Sequence, residues 1–158
     1  MAAVTSTRVS LVDVYVLRGR ETSLECLVLR RAPGGRCPGS WETIHGHIEA
    51  GERPAEAAVR ELLEEAGLTP WRLYNVSRVE LFYQHRTDEV AMVPVFAAFV
   101  AQEAPVHLGP EHDRFEWLAP PQAGSRFAWP RERRALEDII ALFPGGQAGA
   151  VDDVLRVC

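Results

Sequence analysis

The sequence predicts a mixed α/β domain with a largely β middle, and three observations carry that expectation. The chain has 158 residues, 47% of them hydrophobic and 25% charged, which are the proportions of a globular protein able to bury one core. Two segments, Pro54–Ala66 and Glu132–Phe143, repeat apolar residues at helical spacing. Around them lie apolar runs of strand length: Val9–Leu17, Leu24–Leu29, Leu73–Tyr83 and Glu89–Ala101. Neither an internal repeat nor an interdomain linker interrupts the chain, so one domain over residues 1–158 is expected.

In order along the chain, Val9–Leu17 (VSLVDVYVL) and Leu24–Leu29 read as strands, joined by Arg18–Ser23 with Gly19 as a hairpin connection. Arg30–Ser40 (RRAPGGRCPGS) is dense in Gly and Pro and reads as loop. Trp41–His45 fits a short strand. Pro54–Ala66 is a helix, with Pro in its first turn and Gly67 as its stop. Leu73–Tyr83 and Glu89–Ala101 form two longer strands across the polar segment Gln84–Asp88. A short strand at Arg114–Leu118 leads to a turn or short helix from Pro120. The last helix carries the stripe Ala135, Leu136, Ile139, Ile140 and Phe143. The Gly-rich tail, about 145–158, is expected to be loosely ordered.

Charge and cysteine content exclude several functions. The net charge is −5, from 22 acids and 17 basic residues that are all Arg. That balance argues against a broad duplex nucleic-acid surface, which needs a basic face. No apolar run approaches the roughly 20 residues of a membrane span, and Met1–Ser10 lacks the charge and apolar stretch of a signal peptide. Cys26, Cys37 and Cys158 are widely spaced, without C-x-x-C. Cys26 reads as a small core hydrophobe, and the reducing cytoplasm is the expected compartment.

The chemistry concentrates in Gly46–Leu68. On a helical wheel with Glu61 at zero, Glu64 lies at about −60° and Glu65 at about +40°, so three carboxylates share one sector. Val59, Leu62, Leu63 and Ala66 fall between about 100° and 200°, the expected core face, while Ala57 and Ala58 flank the acids and leave room above them. Like charges at i,i+4 cost an isolated helix roughly 0.2–0.5 kcal/mol, and acids near a helix C-terminus oppose its dipole. A bound divalent cation reverses both penalties, and carboxylates with room for water suit Mg²⁺ or Mn²⁺. On geometry alone, a solvated acidic face is the commoner outcome.

The neighbouring residues decide. Gly46, five residues, Glu52, seven residues, then Arg60-Glu61-Leu62-Leu63-Glu64-Glu65-Ala66-Gly67-Leu68 resembles a complete Nudix (MutT-like) box, nine specified positions within 23 residues. The resemblance implies the Nudix α/β/α sandwich, a mixed β-sheet between helices, over about Val9–Phe143. It also implies divalent-cation hydrolysis of a nucleoside diphosphate linked to another group. By the same resemblance Glu61 and Glu65 are metal ligands, Glu64 is a third ligand or the general base, and the Gly46 carbonyl reaches the metal. Glu52, Arg60 and Gly67 are structural in the motif. Glu64 is the preferred base, although some members use a loop acid outside the box.

Downstream, Glu111-His112, Phe115-Glu116-Trp117-Leu118, Trp129 and Arg133-Arg134-Ala135-Leu136 are similar to the bacterial dihydroneopterin triphosphate pyrophosphatases. That likeness implies a metal-ligand or base role for Glu111. It matches Arg30 to a phosphate-contacting Arg, and it places substrate contacts at Trp41, His45, Tyr83 and Arg86. His45-Gly46-His47 replaces the Pro-Gly-Gly of many nucleotide-cleaving members. Both histidines can hydrogen-bond phosphate or simply be exposed, and Arg31 and Arg36 are expected to be solvated. For Trp41, Tyr83 and Trp129, stacking on a flat ring competes with ordinary core packing.

The implied reaction is Mg²⁺-dependent (Mn²⁺ as substitute) cleavage of a pterin or nucleoside triphosphate, dihydroneopterin triphosphate or a (d)NTP, to the monophosphate and pyrophosphate. A dinucleoside polyphosphate (Ap4A-like) or nucleotide-sugar hydrolase is the alternative. A non-catalytic binding module would carry a damaged box, and this one is intact. The expected partner is a small nucleotide or pterin polyphosphate; oligomeric state is not encoded. Between Glu42 and Glu65 there are seven acids and two arginines, so the net −5 equals the charge of this one segment.

Overall fold

The computed structural model describes residues 4–158. Its strands are β1 (Ser6–Arg8), β2 (Leu11–Arg18), β3 (Glu25–Arg31), β4 (Trp41–Glu42), β5 (Ile44–His47), β6 (Arg72–Gln84), β7 (Glu89–Phe99) and β8 (His112–Leu118). Its helices are α1 (Pro54–Ala66), α2 (Pro120–Arg126), α3 (Pro130–Leu142) and α4 (Asp152–Leu155). The sheet is mixed and runs β1-β7-β2-β3-β4, with β5 added to β2, β6 to β7 and β8 to β3. β7 is parallel to β1 and β2, and the other pairings are antiparallel.

Apart from Asp13, strand β2 is apolar from Leu11 to Leu17 because both its faces are covered. Val12, Val14 and Val16 join Leu27, Leu29 and Ile44 beneath α1, where Leu62 and Ala66 pack. Tyr15 and Leu17 join Cys26, Val28, Phe99 and the α3 residues Leu136 and Ile139 on the opposite side. The expected sandwich, a mixed sheet between helices, is the observed architecture. Cys26 is fully buried and free, as expected of a core hydrophobe, and burial pushes its thiol up. Among the described residues, no helix is long and apolar enough to cross a membrane.

Local signals set α1 at its expected bounds. Pro54 stands at the first turn, and the Arg53 N–H donates to Glu56 Oε2 at 2.8 Å. Gly67 ends the helix at φ 66°, a left-handed conformation that costs glycine little. The buried face, however, is rotated from the expected one. Ala57, Ala58, Glu61, Leu62, Glu65 and Ala66 are buried, whereas Val59 is only half-buried and Leu63 is 53% exposed. Ala57 and Ala58 therefore pack in the core instead of flanking an open space. Two of the three glutamates turn inward with them.

Other boundaries moved for tertiary reasons. Val9 is exposed and lies outside β2, and Ser6–Arg8 instead pairs with β7. The expected Trp41–His45 strand is two strands, because the chain leaves β3 after Glu42 and pairs with β2 from Ile44. The hairpin connection contains a short 3₁₀ turn at Glu21–Ser23. The tail, expected to be loose, is tied down: Leu155 is buried, Val157 N–H donates to the Leu73 carbonyl at 2.8 Å, and Tyr74 Oη donates to Asp152 at 2.7 Å. The free edge at the start of β6 offers backbone groups that composition cannot reveal.

Candidate active site

Beneath α1, five segments meet: β3 brings Arg31, β4 brings Glu42, β5 brings Gly46, α1 brings Glu61 and Glu65, and the start of β8 brings His112 with Glu111 just before it. Gly46 is the floor. A Cβ built there would stand 2.0 Å from Glu61 Cδ, so only hydrogen fits. Gly109 is a second close approach: its N–H donates to the Glu65 carbonyl at 3.0 Å, and a Cβ would lie 2.7 Å from the Glu64 carbonyl oxygen.

The glutamates are unequal. Glu65 is 4% exposed, and its Oε2 has no hydrogen-bond partner. Burial, then the charges of Glu111, Glu61 and Glu42, push its carboxyl up to about 10. Glu61 is also buried and accepts from Arg60 at 2.9 Å. Glu64 stands outside, its side chain 56% exposed, with Arg60 at 3.1 Å. Arg60 also grips both Glu52 oxygens, at 2.8 and 2.9 Å, and the His47 carbonyl at 2.7 Å. It thereby ties the loop before the helix to the acids on it. The Glu49 N–H donates to Glu52 at 2.9 Å and tightens the same loop.

Glu111 is exposed, its carboxylate 3.9 Å from Arg31. Arg31, expected to be solvated, is instead half-buried and engaged: it donates to Glu42 at 2.9 Å and to the Arg36 carbonyl at 2.6 Å. Burial alone would raise the Glu42 carboxyl, but hydrogen bonds from His112 and Arg31 bring it below its ordinary value. Glu42, Arg31 and Gly109 escaped sequence reasoning, as did the enclosure of His112. The one faint signal was Glu42 itself, an acid inside a strand-like segment.

The expected substrate contacts are not gathered around these acids. Trp41 packs against the α2–α3 layer beneath the Arg126 guanidinium, 4.8 Å from its ring centre. His45 is no loop residue: it lies on β5 with Nδ1 2.5 Å from Asp13 Oδ1, on that same opposite face. Arg30 is engaged in a two-pronged pair with Asp113 at 2.8 and 3.0 Å. Tyr83 is exposed and donates to Asp88 at 2.9 Å within the β6–β7 hairpin, and Arg86 is exposed at that hairpin's turn. Among the described residues, none of these side chains has a hydrogen bond or ion pair to Glu61, Glu64, Glu65 or Glu111.

Residues 7–139 match the family model described as the NUDIX domain. The chain belongs to the Nudix family. Over 122 residues it is 39% identical to a Myxococcus xanthus octanoyltransferase, covering 73% of this chain and 32% of that protein. Over 93 residues it is 30% identical to the nucleoside triphosphatase NudI of Escherichia coli O139:H28 (strain E24377A / ETEC), covering 54% of this chain and 66% of that protein. The chain thus spans about a third of the first relative (32%) and just under two thirds of the second (66%). In fold it is similar to a C. elegans Ap4A hydrolase in a binary complex, with TM-score 0.71 and 23% identity over 85% of this chain and 97% of that one. It is likewise similar to the E. coli dihydroneopterin triphosphate pyrophosphohydrolase, with TM-score 0.64 and 23% identity over 82% and 94%.

Nudix hydrolases generally use divalent metal ions, usually Mg²⁺. The donors here fit such an ion. Glu61 and Glu65 offer hard carboxylate oxygens one helical turn apart, and Gly46 lets its backbone come close to Glu61. Among the described residues, no three His, Cys, Asp or Glu side chains already close as a cage.

Proposed function

We propose that this Nudix protein hydrolyses a pterin or nucleoside triphosphate to the monophosphate and pyrophosphate, using Mg²⁺ with Mn²⁺ as a substitute. One observation carries the reading: Glu65 lies buried one helical turn from Glu61, where burial first, and then the charges of Glu111, Glu61 and Glu42, push its carboxyl up to about 10. A divalent cation bound there would supply the missing positive charge and, by general metal-ion chemistry, would favour phosphate neutralisation and activation of the attacking water.

The chain's own residues do the rest. Glu61, Glu65 and the Gly46 carbonyl would hold the cation. Glu64, exposed one turn from Glu61, accepts the proton of the attacking water, with Glu111 on the facing loop as the other acid in reach. Arg60 and Glu52 hold the loop and helix in register, and Gly67 lets the chain turn away after the last glutamate. Arg30, Trp41, His45, Tyr83 and Arg86 are proposed to contact substrate. Of these, exposed Tyr83 and Arg86 need only the hairpin to approach, whereas Arg30 and His45 must first exchange an acidic partner for phosphate.

The identity to NudI, a nucleoside triphosphatase by name, supports the triphosphate class, and an intact box supports turnover. Unpaired Cys37 and Cys158, both exposed, fit a reducing compartment such as the cytoplasm. The test is turnover with Mg²⁺ on dihydroneopterin triphosphate, the common (d)NTPs, Ap4A and ADP-ribose, reading pyrophosphate against orthophosphate. Pyrophosphate from the pterin or a (d)NTP is expected. ATP plus AMP from Ap4A would move the assignment to dinucleoside polyphosphates, and no metal-dependent turnover on any compound would overturn it.

A further inference from the structure

His112 begins β8 with its side chain wholly enclosed. Its Nε2 is 2.9 Å from Glu42 Oε1, and its Nδ1 faces Glu65 Oε2 at 3.7 Å. That gap is longer than a hydrogen bond. Yet Nδ1 and Oε2 are both fully buried, and neither has any other polar partner. Orphaned buried polar atoms are costly and uncommon in folded proteins. Two that face each other across one short gap mark a contact that a small shift completes.

The other side of the imidazole is firmly anchored. Glu42 accepts from Arg31 at 2.9 Å, and Arg31 is itself pinned by the Arg36 carbonyl at 2.6 Å. A hydrogen-bonded chain, Arg31–Glu42–His112, therefore runs from β3 to β8 and ends 3.7 Å short of Glu65 on α1. Arg60, by contrast, touches Glu61 and Glu64 but not Glu65.

We propose that His112 is a positioning residue for Glu65: held by Glu42 through Nε2, its Nδ1 shares a proton with Glu65 Oε2 and leaves the other carboxylate oxygen aimed for a divalent cation. Such outer contacts fix the direction of a ligand's lone pairs, and losing one commonly weakens metal binding. The inference rests on the hydrolase reading only in placing a cation at Glu65.

The test uses the full chain and Mn²⁺ alone as the probe, following free Mn²⁺ by electron paramagnetic resonance, alongside the thermal midpoint and the separate kcat and KM values. His112→Leu is expected to weaken Mn²⁺ binding by about 10–100-fold and to lower kcat with KM nearly unchanged. His112→Gln, which keeps a polar group at the same place, should recover part of the affinity. Wild-type Mn²⁺ affinity in His112→Leu overturns the proposal, whatever happens to its thermal midpoint. Should that variant not fold, Glu42→Gln carries the same comparison: weaker Mn²⁺ binding supports the link and unchanged binding overturns it. A wild-type chain that binds Mn²⁺ without turning over any polyphosphate would retire the hydrolase reading alone. One that binds no Mn²⁺ would overturn both.

Discussion

Two acidic clusters, each with buried carboxylates, sit back to back across the sheet, and they are built on opposite electrostatic plans. On the α3 side, Asp13 is fully buried, but it accepts from His45 at 2.5 Å and from Arg131. Burial alone would raise its carboxyl, yet those two partners hold it below the ordinary value. On the α1 side, Glu42, Glu61, Glu65 and Glu111 share two guanidiniums, Arg31 and Arg60, and Glu65 is left to rise to about 10. Burial of an acid is thus common to both clusters and does not mark function. A shortage of cations above a glycine floor belongs to one.

The largest test of that contrast is Glu65→Gln. It should cut turnover by more than about 100-fold, beyond the usual loss for a supporting contact, while the thermal midpoint stays level or rises, because a carboxyl disfavoured by its surroundings is gone. A fall in both would make Glu65 a structural acid like Asp13. Asp13→Asn should do the reverse. Breaking a buried pair strands Arg131 and costs about 3–5 kcal/mol, read by denaturant unfolding, with folded enzyme retaining its kcat.

The rotated face of α1 offers a smaller effect. Leu62→Ala should lose about 2–5 kcal/mol, whereas Leu63→Ala should stay within about 0.5 kcal/mol. Equal losses would restore the face expected from the wheel and take Glu65 out of the interior. The smallest effect is a pH slope. Burial, with the Asp13 and Glu42 charges adding to it, pushes Glu132 up to about 8 from 4.5, against an opposing hydrogen bond from the Thr43 N–H. The folded state therefore keeps a proton that the unfolded chain releases, so this contribution is complete below pH 4.5 and is lost as pH rises through about 8. Glu132→Gln should flatten the fall in stability between those limits; an unchanged slope would assign it to other groups.

The legible and illegible parts of this molecule divide by range. Helix α1 was readable to the residue because Pro54 and Gly67 act on their own backbone. The spacing of the box glutamates was readable as a motif because it lies within 23 consecutive residues. The wheel nevertheless misjudged which side of α1 is buried. A wheel ranks faces by apolarity, while the burial of Glu61 and Glu65 depends on Gly46 and Gly109 approaching from β5 and the loop before β8. Arg31, Glu42 and His112 were illegible as a group for the same reason: they come from three strands far apart in sequence. The tail misled because its glycines describe local freedom, whereas the partners that hold it are on β6.

The sequence by itself determined the family, the layers of the sandwich, the bounds of the acidic helix and the concentration of the net −5 in Glu42–Glu65. All of these depend on residues close together in the chain or on periodic burial. Only the tertiary structure decided which carboxylates are desolvated, which arginines neutralise them, and that Trp41 and His45 lie across the sheet from Glu65. The reason is physical: solvation and charge pairing depend on distance in space, and a strand two residues long is enough to exchange one face of a sheet for the other.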